Sequence, residues 1–107
     1  MDEVGHKYGW MSAEYLCAIH HAFDCIEKIR AALPEDSILL VTADHGGHDR
    51  SHGTDQTEDM TIPFLTLGKP FEAGTSFDEM NIKDIAPTIA SWLGVPADKE
   101  WEGKSLL

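Results

Sequence analysis

The 107-residue chain has no apolar run approaching the roughly 18 residues a membrane-spanning helix needs, and no signal-peptide pattern at its N-terminus. Cysteine is scarce: only Cys17 and Cys25 occur, eight positions apart on an expected helix. That spacing is ~12 Å along the axis at ~1.5 Å per residue. A disulfide needs Cα atoms within ~7 Å, so the pair cannot bridge there and reads as two buried free thiols. Positive charge is short as well, with 8 Lys and Arg against 19 Asp and Glu and a net charge of −11. This balance argues against nucleic acid or an anionic membrane as partner. It would also repel an anionic substrate unless bound cations offset the carboxylates locally. Repeats and low-complexity linkers are absent, and the length allows one domain at most. Apolar residues at 42% and charged residues at 25% are nevertheless ordinary for a globular chain, so a core is expected.

What the sequence does have is concentrated in Ile38–Thr54, ILLVTADHGGHDRSHGT. The unbroken apolar run Ile38–Val41, continued by Thr42 and Ala43, predicts a strand buried on both faces, as in a parallel sheet. Asp44 to His52 then packs three His and two Asp into nine residues around the pair Gly46-Gly47. In open α/β sheets ligands bind just past the carboxyl ends of strands, so this tip reads as a site.

The segment before it, Met1–Trp10, offers Asp2 and His6 in a polar stretch punctuated by Gly5, and is expected to be a loop that follows a strand. Ser12 is a suitable N-cap with Glu14 in the first turn. Tyr15, Leu16, Ile19, Phe23, Ile26, Ile29 and Leu33 then recur at helical steps until Pro34. This predicts a helix of about twenty residues with an apolar stripe. Thr61–Leu67 reads as a second strand with Pro63 near its start, where a missing N–H is tolerated. Asn81 or Asp78 would cap a last helix beginning near Asp84–Ala86, with Pro87 in its first turn and Gly94 as its stop. Its expected apolar face is Ile82, Ile85, Ile89, Trp92 and Leu93, and Val95–Leu107 is an irregular tail. The order helix, strand, strand, helix suits part of an α/β sheet flanked by helices.

Asp2, His6, Asp44, His45 and His52 are the donor types zinc takes, and loops at neighbouring strand ends would let them converge without helical spacing. His20 and His21 lie on the long helix, where packing or solvation accounts for them, and Trp10, Trp92 and Trp101 read as core or docking aromatics. The acidic pair Glu58-Asp59 reads as a solvated turn, close enough to the His-rich loop to help position a ligand.

These residues in order resemble the alkaline phosphatase superfamily, and within it the type I phosphodiesterase/nucleotide pyrophosphatase-like members. The matching pieces are Asp2-Glu3-Val4-Gly5-His6, Thr42-Ala43-Asp44-His45-Gly46-Gly47, His52-Gly53, Ile62-Pro63-Phe64 with Gly68, Asp84–Ala90 and Leu93–Pro96. Glu102-Gly103-Lys104-Ser105-Leu106 looks like the family's usual ending. By position, the resemblance implies that Asp2, His6 and His52 hold one zinc and that Asp44 and His45 supply part of a second zinc site. Manganese or iron would suit the same donors. The implied activity is metal-dependent hydrolysis of phosphate mono- or diesters through a Thr or Ser nucleophile. No residue here matches that nucleophile, Thr54 and Thr57 included. The chain is therefore expected to be the C-terminal part of one alkaline-phosphatase-like catalytic domain, inactive by itself. A sulfatase or phosphonate hydrolase is the nearest alternative, and a cofactor-independent phosphoglycerate mutase ranks below it. From another class comes a non-catalytic metal-binding module, or one that homodimerises through an exposed sheet edge.

Overall fold

Asp2–Tyr8 is a helix, α1, and not the loop expected of its glycine and polar residues. Asp2 and Glu3 occupy its first turn and Lys7 its last, so each charge type sits at the helix end whose dipole it complements. The correction matters for the site, because Asp2 and His6 become i, i+4 neighbours on one helix face. The computed structural model describes residues 1–77 and 79–107, in two compact units, Met1–Lys69 and Pro70–Leu107.

In the first unit the long helix, α2, runs Ala13–Ala32 as its periodicity predicts, and the Ser12 hydroxyl accepts the Tyr15 amide at 3.1 Å. Its packing partner is α1. That contact is too small to cover the stripe: no α2 residue is buried, and Leu16, Phe23 and Ile29 are exposed. The two thiols consequently differ from expectation. Cys17 is exposed, and Cys25 is half-buried with its Sγ 3.8 Å from His21 Nε2.

Strand β1 is Leu39–Thr42 and strand β2 is Phe64–Leu67. They pair antiparallel, from Leu39 opposite Leu67 to Thr42 opposite Phe64. The α/β class holds, but the expected strand buried on both faces does not. Leu39, Leu40 and Val41 are half-buried, and β2 alternates half-buried with exposed residues, the pattern of a sheet covered on one side. β2 begins directly after Pro63, which has no N–H to give the ladder. Between the strands lie the His-rich loop and a single-turn helix, α3, Thr57–Met60.

In the second unit a 3-10 turn, Ile82–Asp84, leads into helix α4, Ile85–Trp92. Asn81, expected to cap the helix, caps the 3-10 turn that precedes it: its side chain accepts the Lys83 amide, and the Asp84 carboxylate accepts the Asn81 amide in return. The alternative cap, Asp78, lies outside the described residues. Pro87 falls in the first turn of α4 and Gly94 follows its end with φ 68°. The buried face is not the expected one. Ile82, Trp92 and Leu93 are exposed, whereas Asp84, Pro87, Thr88 and Ala90 are buried. The irregular tail is the reason, because it docks on a polar seam. Lys104 donates its amide to Asp84 Oδ1 at 2.8 Å, and Leu106 donates its amide to Thr88 Oγ1 at 3.1 Å. Thr88 in turn donates to the Asp84 carbonyl at 2.6 Å, and Lys83 pairs with Glu102. The Lys104 and Asn81 amides hold the Asp84 carboxyl below its ordinary range.

Thr88 is 1% exposed, so Thr88→Val should strand the Leu106 amide without opening a cavity. The expected loss is about 1–2 kcal/mol in denaturant titrations, with faster hydrogen exchange at Leu106.

Candidate metal centre

Two elements deliver the donors. Helix α1 presents Asp2 and His6 one turn apart, and the loop after β1 presents His45 and His52. Asp2 Oδ1 lies 3.5 Å from His6 Nε2, 3.6 Å from His52 Nε2 and 3.8 Å from His45 Nε2. The donor atoms of Asp2, His6 and His52 all lie within 4.8 Å of one another. Bonds of about 2.0–2.1 Å to a tetrahedral zinc place donors roughly 3.3–3.4 Å apart, so the distances from Asp2 to His6 and His52 are close to those of a coordinated ion.

The other ring nitrogens explain why these atoms face inward. His6 Nδ1 donates to the Arg50 carbonyl at 2.9 Å, and His45 Nδ1 donates to the Gly46 carbonyl at 2.7 Å. A carbonyl can only accept, so Nδ1 carries the proton and Nε2 is left for a metal. The Gly46 carbonyl also raises the His45 pKa, and the carboxylates of Asp44 and Asp2 add to the shift. His45 and His52 stack with ring centroids 3.8 Å apart.

Both halves are held together through Trp10. Its amide donates to the Asp49 carbonyl at 2.7 Å, and its ring lies edge-on to His6 and to His52 at 5.2 and 5.9 Å. A Cβ on Gly47 would meet that ring at 2.2 Å, and one on Gly46 would meet the Glu58 carbonyl at 1.9 Å. The Gly-Gly pair is thus a requirement of close approach.

Of the residues expected to bind metal, Asp2, His6 and His52 come together and His45 stands beside them. Asp44, expected with His45 at a second site, has a side chain 86% exposed; its Oδ1 accepts the His45 amide at 3.1 Å and lies 3.8 Å from His45 Nε2. Among the described residues it belongs to no cluster of three donors.

The acidic pair behaves differently from the solvated turn expected of it. Glu58 is exposed, but Asp59 is 3% exposed and receives His48 Nδ1–H at 2.7 Å, with the Thr54 amide and hydroxyl each at 2.8 Å. His48 and the Thr54 donors hold the Asp59 carboxyl down to about 2, while Asp59 raises the His48 pKa. Apart from the nearness of an acidic pair to the loop, the sequence carries no signal for this contact.

The pattern that defines the Metalloenzyme superfamily matches residues 1–97. The chain belongs to that superfamily. Metal-dependent chemistry is the family's common property, and the donor set above fits a divalent ion on its own geometry. Two curated relatives of this chain are named as mutases. It is 35% identical over 78 residues to a phosphopentomutase of Acetivibrio thermocellus, covering 72% of this chain and 20% of that protein. It is 30% identical over 112 residues to a 2,3-bisphosphoglycerate-independent phosphoglycerate mutase of Francisella tularensis, covering 98% of this chain and 21% of that protein. The chain therefore spans about a fifth of the length of these relatives. No solved structure matches it. The superfamily resemblance of the motifs is borne out; the second relative bears the phosphoglycerate mutase name ranked lower above, and the first a mutase name that the motifs did not suggest.

The His48–Asp59 pair makes a signed prediction about pH. Asp59, depressed to about 2, contributes stability that is complete above the ordinary carboxylate pKa near 4 and lost toward pH 2. His48, raised, contributes stability that is complete below about pH 6.5 and lost as pH climbs through its folded value. In the presence of a chelator, the stability difference between the native chain and His48→Ala should therefore peak between about pH 4 and 6.5. Equal differences at pH 5 and pH 9 in thermal unfolding would show that the pair is not charged.

Proposed function

We propose that this chain binds a divalent metal through Asp2 Oδ1, His6 Nε2 and His52 Nε2, and that the centre serves phosphoryl transfer on a phosphate ester. Zinc is the proposed ion. The observation that carries the reading is the convergence of three donors from two separate elements, with the other nitrogen of His6 engaged by a carbonyl. When bound, a divalent ion neutralises and polarises phosphoryl oxygens. The chain's own residues do the rest. Asp2 and His6 are fixed relative to each other by one helical turn, and His52 is brought to them by the loop. Asp44 and His45 are proposed as part of a second site, to be completed by donors other than those described above.

With a net charge of −11, a bound divalent ion would offset carboxylates that repel phosphate. Water is the acceptor in the reading we adopt, which follows the phosphodiesterase-like motif set. A second reading, transfer to another hydroxyl of the substrate, is favoured by the mutase names of the two relatives.

Elemental analysis of the purified chain, dialysed after zinc is supplied, tests the centre. We expect about one zinc per chain, lost on His52→Ala. A chain that retains no zinc would overturn the reading. The same preparation should release little nitrophenolate from bis-nitrophenyl phosphate, because no Thr or Ser here matches the nucleophile position. Turnover by the native chain that His52→Ala abolishes would place a nucleophile among these 107 residues.

A further inference from the structure

The metal donors of the loop are separated by residues with no helix or strand to hold them. Fixing backbone in such a stretch costs roughly 1–2 kcal/mol per residue, so something must keep His45 and His52 presented. Five of the hydrogen bonds that hold the loop end on the Glu58-Asp59 step of α3. Gly46 donates its amide to the Asp59 carbonyl at 2.8 Å, and Gly47 donates its amide to the Glu58 carbonyl at 2.9 Å. The Asp59 side chain then takes His48 Nδ1–H on one oxygen, and the Thr54 amide and hydroxyl on the other. His48 and Thr54 flank His52, so one buried carboxylate grips both sides of it.

The grip extends to the opposite half of the centre. His48 and Ser51 exchange both backbone hydrogen bonds, at 3.0 and 2.9 Å, and close a tight turn with Asp49 at φ 47°. That turn aims the Asp49 carbonyl at the Trp10 amide and the Arg50 carbonyl at His6 Nδ1. A non-glycine residue in the left-handed region is held there only where its surroundings over-determine it. The His48 contact to Asp59 is the side-chain anchor at the start of this turn.

We infer that Asp59 is a positioning residue for the metal centre, a buried carboxylate outside the donor set whose hydrogen bonds to His48 and Thr54 set the placement of His52 and, through the 48–51 turn, of His6. This rests on the metal-binding reading of Asp2, His6 and His52. A carboxylate suits the position because all three groups that reach it donate; an amide would set its NH2 group against the Thr54 amide or force His48 into the tautomer with a bare Nδ1.

The test compares the native chain with Asp59→Asn and Thr54→Val. Zinc affinity is read by competition with a chromophoric chelator, and donor geometry by the visible spectrum of added cobalt(II). Folding is checked by circular dichroism. We expect Asp59→Asn to weaken zinc binding by about 10- to 100-fold, the range seen for residues that orient metal ligands, and to change the cobalt spectrum. Thr54→Val, which keeps the backbone amide, should move both in the same direction by less. A residue with a purely structural role would lower the unfolding temperature and leave the affinity and spectrum of the folded protein unchanged. That result with Asp59→Asn overturns the inference. If Asp59→Asn does not fold, native affinity and spectrum in Thr54→Val overturn it instead. Failure of the native chain to bind either metal overturns the metal-binding reading and the inference with it, whereas native binding that ignores both substitutions overturns the inference alone.

Discussion

The indole of Trp10 is the contact on which the site depends. Asp2 and His6 sit on one short helix and His52 on a loop more than forty residues later, and neither segment has a core of its own to lean on. Trp10 joins them by occupying space that two glycines leave open. A Cβ on Gly5 would meet the ring at 2.8 Å, and one on Gly47 at 2.2 Å. Dense packing of a large aromatic against bare backbone supplies rigidity where burial of aliphatic side chains is slight. The indole also screens one side of His6 and His52 while Asp2 remains more than half exposed, so the centre is supported from behind and open in front.

Both units solve a similar problem with a buried aspartate. Asp59 and Asp84 are 3% and 4% exposed in a chain already rich in negative charge. Each is tolerable because hydrogen-bond donors converge on it. Asp59 takes the Thr54 amide and hydroxyl and an imidazole, and Asp84 takes the amides of Asn81 and Lys104. A carboxylate with several donors can fasten irregular backbone that has no ladder or helix to satisfy it. The His-rich loop and the C-terminal tail are segments of that kind. Here acidic residues fasten chain as well as offering charge to a metal.

Local patterns were read well wherever the deciding forces were local. The α2 boundaries follow from Ser12, the helical period and Pro34, and the last helix from Asn81, Pro87 and Gly94. The same patterns misjudged burial. The stripe of α2 and the face Ile82, Ile89, Trp92 and Leu93 show periodicity, but periodicity says only which residues share a side. Whether a neighbour covers that side is a long-range fact. Helix α1 was missed for a related reason, since a seven-residue helix containing glycine has little propensity of its own and is held by Trp10 and α2.

By itself, the sequence determined the α/β class, the elements with strong caps, the family, and the residue types from which a metal centre is assembled. Those depend on composition, spacing and short-range hydrogen bonding. Tertiary structure alone decided which donors meet. Asp44 and His45 are adjacent in sequence, yet His45 Nε2 faces Asp2, because His45 Nδ1 donates to the Gly46 carbonyl, while Asp44 Oδ1 accepts the His45 amide. Glu58 and Asp59 are likewise adjacent, yet one is exposed and the other buried against His48 and Thr54. What each residue of such a pair meets depends on what the folded chain brings beside it.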